Sequence, residues 1–510
     1  MNPQITRFRL ALLVLAGGAS PVLAQGLPPA PVPPQNPITE EKRVLGKILF
    51  WDEQLSSDGS MACGTCHRFG AGGADGRVGQ HPGFDLVLDT PDDILGSPGI
   101  RHADSDGDPI VDPLFGTDPQ VTARTAQTLL GAPYAPNLFW DGRASGTFVD
   151  PETGSTLIPL GGGLESQAIA PILNDAEMAY EDRTWSDVEA HLMEVVPLAL
   201  VSDVPPDMAA AIAQSPTYPA LFTEAFGDPA ITASRIAFAI ATYERTLTPD
   251  QTPWDQFVNG NPGALTQQQR RGWDFFRNSP CSVCHRPPVF SDGSFRNIGL
   301  RPPVEDNGRQ GVTGVPQDRG RFKVPSLRDV GQRDRLMHTG QITDVADALS
   351  FYQRLNGHVH FPENQDPLVQ GGIPIPPPEV GPLIDFLTNG LTDPRARDEQ
   401  FPFDRPGLRS ESPVEVPEIE EALVLHTAYP NPFRDETSLT LDLPAGEVAL
   451  SVYTASGQLI QRMRSSTSGG ATVVSWNGRD AHGSAVRPGV YFLRAVTPAG
   501  VITTQVTRIR

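Results

Sequence analysis

Cys63-Gly64-Thr65-Cys66-His67 and Cys281-Ser282-Val283-Cys284-His285 decide how this chain is read. In each, two thiols stand one helical turn apart and a histidine follows at once. That is the attachment pattern of c-type haem: the thiols add across two vinyl groups and the imidazole coordinates iron from one side. The chain has 510 residues and four cysteines, and the two pentads use all four. Two other readings stay open here. A pair of Cys-x-x-Cys segments can build one four-thiolate zinc site, although each following histidine then has no task. A thioredoxin-like dithiol wants a βαβ setting, which the flanking sequence lacks. The expected cofactors are two covalently bound c-type haems.

Residues 1–24 read as a secretory signal peptide, with Arg7 and Arg9 before the apolar run Leu10–Ala16 and Val22-Leu23-Ala24 as cleavage site. That run is too short to span a bilayer, and no later stretch approaches the length needed, so no transmembrane segment is expected. Export suits the haem reading, because c-type haem is attached outside the cytoplasm and no cysteine is left for a disulfide. A net charge of −21 argues against a nucleic-acid partner and an anionic membrane surface. It suits a basic electron-donor protein, and solubility alone explains it equally well.

Residues 25–37 are proline-rich and predict an extended linker. A helix is expected after Thr39, with Glu40 and Glu41 in its first turn and Leu45 and Leu49 on one face. Gly70 to Gln120 reads as loop. Within it Asp104, Asp106, Asp108 and Asp112 are spaced as in calcium loops but lack the downstream bidentate glutamate, leaving calcium and a solvated acidic loop as the two readings. Helical patterning resumes after Gln167. Thr232 caps a run through Ile236, Ile240 and Tyr243, and Thr266-x-x-Gln269 is a capping box before Trp273 and Phe276. Further helices are expected over Thr343–Leu355 and Glu379–Asn389. Residues 406–424 form an acidic linker. Beyond it the period changes to two, over Ser438–Leu443, Val448–Tyr453, Val473-Val474, Val490–Val496 and Val501–Ile509. The expected fold is mainly α: two cytochrome c-like haem domains with long loops (38–250 and 251–405), then a small antiparallel β-sandwich (425–510).

Over about residues 38–400 the chain resembles the bacterial di-haem cytochrome c peroxidase family, which includes MauG. The resemblance rests on Phe139-Trp140-Asp141-Gly142-Arg143-Ala144 and on Leu164-Glu165-Ser166-Gln167-Ala168-Ile169-Ala170-Pro171, separated by a fifteen-residue insertion, Val149–Gly163. Glu177-Met178, Thr242-Tyr243-Glu244-Arg245-Thr246-Leu247, Phe322-Lys323-Val324-Pro325-Ser326-Leu327-Arg328 and His338-Thr339-Gly340 follow in order. It implies that His67 is the proximal ligand of a peroxidatic haem and His285 that of an electron-transfer haem. Gln167 and Glu177 would line the open face where hydrogen peroxide binds, Pro171 would close that pocket, and Trp140 would couple the haems. The implied activity is peroxide reduction with electrons from a small redox protein, a cytochrome c or cupredoxin. The alternatives are MauG-like oxidation of a partner protein, or a di-haem electron carrier without catalysis.

Two departures are informative. Fourteen residues after His338, where the family's peroxidases carry methionine, stands Tyr352. MauG carries tyrosine there too, a hard donor that favours ferric iron. Simple helical packing of Phe351-Tyr352, with Met337 or nothing as ligand, is the other reading. His81 ends a shortened glycine-rich loop where peroxidases that need activation keep a distal histidine. If it ligates, the first haem rests closed; if not, it is open as in MauG. The groups that hold an inter-domain calcium in the family are poorly matched, by Thr125, Arg333 and Arg335. The C-terminal stretch resembles a type IX secretion sorting domain through Tyr429-Pro430-Asn431-Pro432-Phe433, Gly457-Gln458-Leu459, Trp476-Asn477-Gly478 and Pro488-Gly489-Val490-Tyr491-Phe492. That implies the type IX machinery as a partner, with a periplasmic stage during haem attachment and then a secreted or cell-surface product.

Overall fold

Two helix pairs, each crossing on a glycine, frame the two cysteine motifs in the computed structural model. It describes residues 26–411 and 428–509, apart from 444–445, 455–458, 468–469, 482 and 498–499. The predicted signal peptide and most of the acidic linker lie outside the described residues. The chain divides into two compact units, Met1–Ser412 and Pro413–Arg510.

In the first unit, helix Glu40–Trp51 starts at Thr39, whose hydroxyl accepts the Lys42 N–H at 3.3 Å, and the glutamates of its first turn suit the helix dipole. It packs on helix Ala233–Glu244, capped by Thr232 as predicted. A Cβ on Gly46 would lie 1.9 Å from the Ala239 carbonyl oxygen, so only glycine lets these backbones touch. The second half repeats the device. Helix Gln267–Arg277 opens on the predicted capping box, with the Gln269 N–H donating to the Thr266 hydroxyl at 3.1 Å and the Thr266 N–H to the Gln269 side chain at 3.0 Å. It packs on helix Pro377–Asp385, where a Cβ on Gly272 would lie 2.1 Å from the Pro382 carbonyl. Each pair has its own apolar core. Phe50, Trp51, Phe69 and Tyr243 lie in the first; Trp254, Trp273, Phe276, Phe290 and Phe386 lie in the second.

Several elements differ from expectation. The helix predicted over 343–355 runs Val345–Gln353, because the Asp344 carboxylate caps the Asp347 N–H and Arg354 turns left-handed. The helix expected to reach Asn389 ends at Asp385 and widens into a π turn, Phe386–Gly390. Gly70–Gln120 carries two antiparallel strand pairs, Gly79–His81 with Ile94–Gly96 and Pro98–Arg101 with Pro119–Val121. The insertion forms a hairpin, Phe148–Val149 with Thr156–Ile158, whose Phe148 and Ile158 bury against Ala237. The described part of the proline-rich segment carries no helix or strand, turns where the Asn36 N–H donates to the Pro33 carbonyl at 3.0 Å, and is docked. Asn36 is fully buried, donating to Glu165 Oε1 at 2.8 Å and the Phe238 carbonyl at 3.0 Å. Arg245 reaches the Pro31 carbonyl at 3.3 Å. Residues 406–411 also dock: Leu408 is buried and the Arg409 and Ser410 N–H groups donate to Glu53.

Among its described residues the second unit is built of strands, one more than the period-two pattern showed, because Leu459–Thr467 alternates weakly. Four antiparallel strands run in the order Leu459–Thr467, Gly446–Thr454, Gly489–Thr497, Gly500–Arg508, and a second pair joins Gly470–Trp476 to Thr437–Leu443. Leu439, Val474 and Trp476 from the pair and Leu450, Val452, Leu493 and Val506 from the four-stranded sheet share one core.

Candidate functional site

The Cys63–Cys66 turn delivers both thiols and His67 to one cavity. His67 Nδ1 lies 3.2 Å from the Gly73 carbonyl, a contact that makes Nδ1 the donor and leaves Nε2 with its lone pair for a metal. Cys63, Cys66 and His67 face Gln167, Pro171 and Glu177 across the inner part of this space. Cys66, His67, Gln167 and Glu177 also line a larger cavity of about 1010 Å³, at the top of the ~300–1,000 Å³ usual for small-molecule sites. Gln167 sits on the short helix Gly163–Ala168 and Pro171 opens the next turn. Glu177 follows a tight turn in which its N–H donates to the Asn174 carbonyl at 3.1 Å. Burial pushes the Glu177 carboxyl above its usual range, and the Arg143 charge opposes that.

His81 lines the same cavity. Its Nδ1 accepts the Gly83 N–H at 3.1 Å and its ring lies 5.7 Å from that of Phe115. Trp140 borders both this cavity and that of the second motif, and its indole N–H donates to the Thr125 carbonyl at 2.8 Å.

The second motif is built alike. Cys281, Cys284 and His285 line a second cavity, and His285 Nδ1 stands 3.2 Å from both the Phe290 and Pro325 carbonyls. Tyr352 and Met337 both line it. Burial raises the Tyr352 phenol, and among the described residues nothing hydrogen-bonds its hydroxyl. Lys323 and Arg333 also border this cavity and, among the described residues, neither has an ion pair. Burial lowers Lys323 to about 8 and Arg333 to about 10.

These donor sets fit covalent haem. Each motif offers two unpaired thiols beside an imidazole whose outer nitrogen is already held, at a cavity lined mostly by apolar surface. Lys323, a buried cation without a carboxylate partner among the described residues, suits a group that carries carboxylates. The rival readings fit less well. The two thiol pairs line different cavities, which does not suit one shared four-thiolate zinc site. Burial pushes Cys63 up to about 12, opposite to the lowering that a redox dithiol needs.

In the acidic loop, Asp104 Oδ1 accepts the Asp106 and Asp108 N–H groups at 3.0 and 2.9 Å, and Asp112 Oδ1 accepts those of Leu114 and Phe115, so these two carboxylates cap their own turns. Among the described residues no three acidic side chains gather to hold a metal ion.

Sequence reasoning missed Glu244. It lines the first cavity almost fully buried, with Oε2 unpartnered, and burial pushes its carboxyl up to about 8. It also missed His338, buried between the cavities and stacked on Phe322 at 3.6 Å. Both sit inside quoted motifs, and nothing local marks them as facing a cavity.

Comparison with known proteins agrees with this geometry. The di-haem cytochrome c peroxidase family matches residues 40–263, and an FlgD Ig-like domain matches residues 433–500. Methylamine utilization protein MauG of Methylophilus methylotrophus is 30% identical over 330 residues, 63% of this chain and 75% of that one. Cytochrome c551 peroxidase of Nitrosomonas europaea is 27% identical over 386 residues, 74% of this chain and 89% of its own. The crystal structure of a MauG-like protein associated with microbial copper homeostasis superposes with a TM-score of 0.51 at 22% identity, over 74% of this chain and 97% of that one, a likeness of fold. The chain belongs to the bacterial di-haem cytochrome c peroxidase and MauG family.

Proposed function

We propose that this protein reduces hydrogen peroxide to water at the His67 site, with electrons that a small cytochrome c or cupredoxin delivers through the His285 site. The observation that carries this is the convergence of His67, Gln167, Pro171 and Glu177 on one cavity. Haem held by Cys63, Cys66 and His67 supplies the redox chemistry that accepts the oxidising equivalents of peroxide. The chain's residues do the rest. Glu177 takes the proton from the near peroxide oxygen and returns it to the far one, so that water leaves. A positioned acid–base of this kind contributes about 10²–10⁴-fold. Its burial raises the carboxyl toward the operating pH, while Arg143 keeps it available as a base. The Gln167 amide orients the peroxide and the Pro171 ring closes one wall. Two electrons and two protons complete each turnover, the electrons crossing by Trp140, which borders both cavities.

A second reading is favoured by Tyr352: its partnerless hydroxyl in the second cavity suits a ligand to the second haem and a MauG-like oxidation of a partner protein. The resting ferric spectrum and a peroxide titration test both. A high-spin signal with rapid turnover of reduced cytochrome c supports the peroxidase. A high-spin signal with slow turnover favours protein oxidation, and His81 then leaves the first haem open. Two low-spin haems inert to peroxide, before and after partial reduction, would make the protein an electron carrier and refute both.

We read 38–250 and 251–405 as two cytochrome c-like haem domains and 425–510 as a β-sandwich sorting domain addressed to the type IX machinery, after export by residues 1–24. The FlgD Ig-like match and the shared core of the two C-terminal sheets support the last point. Among the described residues no helix is long and apolar enough to cross a membrane. Deleting residues 425–510 should leave the protein in the periplasm; unchanged surface delivery would refute the sorting role.

A further inference from the structure

Arg333 is buried, 9% exposed, and its guanidinium is spent on backbone carbonyls. Nε donates to Gly72 at 3.3 Å, Nη1 to Ser326 at 3.1 Å and Nη2 to Arg328 at 2.5 Å. Two of these acceptors are next to the carbonyls that hold the motif histidines. Gly73, beside Gly72, faces His67 Nδ1; Pro325, beside Ser326, faces His285 Nδ1; both contacts are 3.2 Å. One guanidinium therefore stands one peptide plane away from the anchoring carbonyl of each imidazole.

The seating leaves little slack. Gly72 has φ +66°, and a Cβ there would lie 2.5 Å from the Asp329 carbonyl, so the loop rests directly on the second half of the unit. Gly72 also accepts the Thr128 hydroxyl at 2.7 Å, and Gly73 accepts the Leu129 N–H at 3.1 Å. The Gly72 and Gly73 carbonyls, on successive peptide planes, are thus both held, and a shift of the guanidinium has to move them. Among the described residues no carboxylate pairs with Arg333, so its charge polarises these carbonyls without a counter-ion at contact distance.

We propose that Arg333 is a positioning residue shared by both haem sites: through peptides 72–73 and 325–326 it sets the orientation and hydrogen-bond strength of the His67 and His285 imidazoles together. A hydrogen bond to the outer nitrogen tunes how strongly a histidine donates to its metal, so both irons register a change at this one side chain. The inference rests on haem at both motifs.

The test uses the matured full-length protein, with a pyridine haemochrome assay on every sample and the low-temperature electron paramagnetic resonance and iron–histidine Raman signals of each haem as readout. Arg333→Gln should shift the signals of both haems, whereas Thr128→Val, which removes the hydroxyl that donates to Gly72 and accepts the Leu130 N–H, should shift those of the His67 haem more than those of the His285 haem. Wild-type signals from either haem in Arg333→Gln would overturn the proposal, even if the variant unfolds more easily, as would a larger shift of the His285 haem in Thr128→Val. If Arg333→Gln does not mature, Arg333→Lys keeps the charge but cannot span three carbonyls. Shifts at both haems then support the proposal and unchanged signals overturn it. Absence of thioether-bound haem from the wild-type protein would sink the functional reading itself, and this inference with it.

Discussion

Removing the Glu165 carboxylate should destabilise the first haem pocket while leaving the second largely intact. Arg245 meets Glu165 through two parallel bonds, Nη1 to Oε1 at 2.7 Å and Nη2 to Oε2 at 2.8 Å, and the side chains are 1% and 0% exposed. Asn36 adds a third bond to Oε1, and Lys42 braces Asn36 at 2.9 Å. In Glu165→Ala the buried guanidinium keeps only the Pro31 and Gly161 carbonyls, both at 3.3 Å. An uncompensated buried charge of this kind costs about 3–5 kcal/mol. Asn36 retains the Phe238 carbonyl, so its share adds little. Glu165 also lies two residues before Gln167 on helix Gly163–Ala168, so the wall facing His67 should loosen. The assay is urea unfolding followed separately at the two haem signals, since a chain with two cofactor sites need not unfold in one step. The His67 signal should be lost at a midpoint lower by at least about 1 M urea. The double variant Glu165→Leu/Arg245→Met removes both charges and should recover most of the loss. A drop in Glu165→Ala worth less than about 1 kcal/mol, or a double variant as weak as the sum of its singles, would refute the reasoning.

Three further outcomes are expected. Glu177→Gln should lower peroxide turnover by about 10²–10⁴-fold with both ferric spectra unchanged, and full activity would remove Glu177 from the mechanism. Tyr352→Phe should change the spectrum of the second haem and leave that of the first, whereas an unchanged second haem would assign the position to Met337 or to no ligand. Burial raises the Asp329 carboxyl from 3.8 to about 7, so the folded state holds a proton that the unfolded chain has released. Its stabilising contribution is full below about pH 4 and is lost as pH rises through about 7, by at most about 1.4 kcal/mol per pH unit. Asp329→Asn, which tolerates the left-handed backbone there (φ +55°), should flatten this part of the urea-midpoint profile, and a parallel profile would refute the assignment.

What the sequence made legible was local. Thr266 and Gln269 stand three residues apart and satisfy each other's helix-end groups, so the capping box announces itself. The two Cys-x-x-Cys-His pentads are likewise read without knowing what lies opposite. Contacts with distant partners leave no such local mark. Nothing in a run of prolines tells that Asn36 will bury its amide against Glu165, 129 residues on. The aspartates of the 104–112 loop were ambiguous for another reason. The spacing that points carboxylates at a cation also lets them cap their own turn, as Asp104 does, so the pattern alone does not separate the two readings.

Arg333 shows where such reading ends. Its partner at Gly72 is 261 residues away and is a backbone carbonyl, which every residue type carries. No pattern of side chains could have marked that acceptor, and in sequence the arginine registered only as a poor match to a calcium position. Yet the feature that makes the contact possible is written in the chain, since Gly72 and Gly73 both take positive φ. A loop that accepts no side chain on its face can be approached by another part of the backbone, and here that approach places a guanidinium beside the peptide that anchors His67. Paired glycines following a haem pentad are therefore a reason to ask what sits on them, before any ligand or partner is considered.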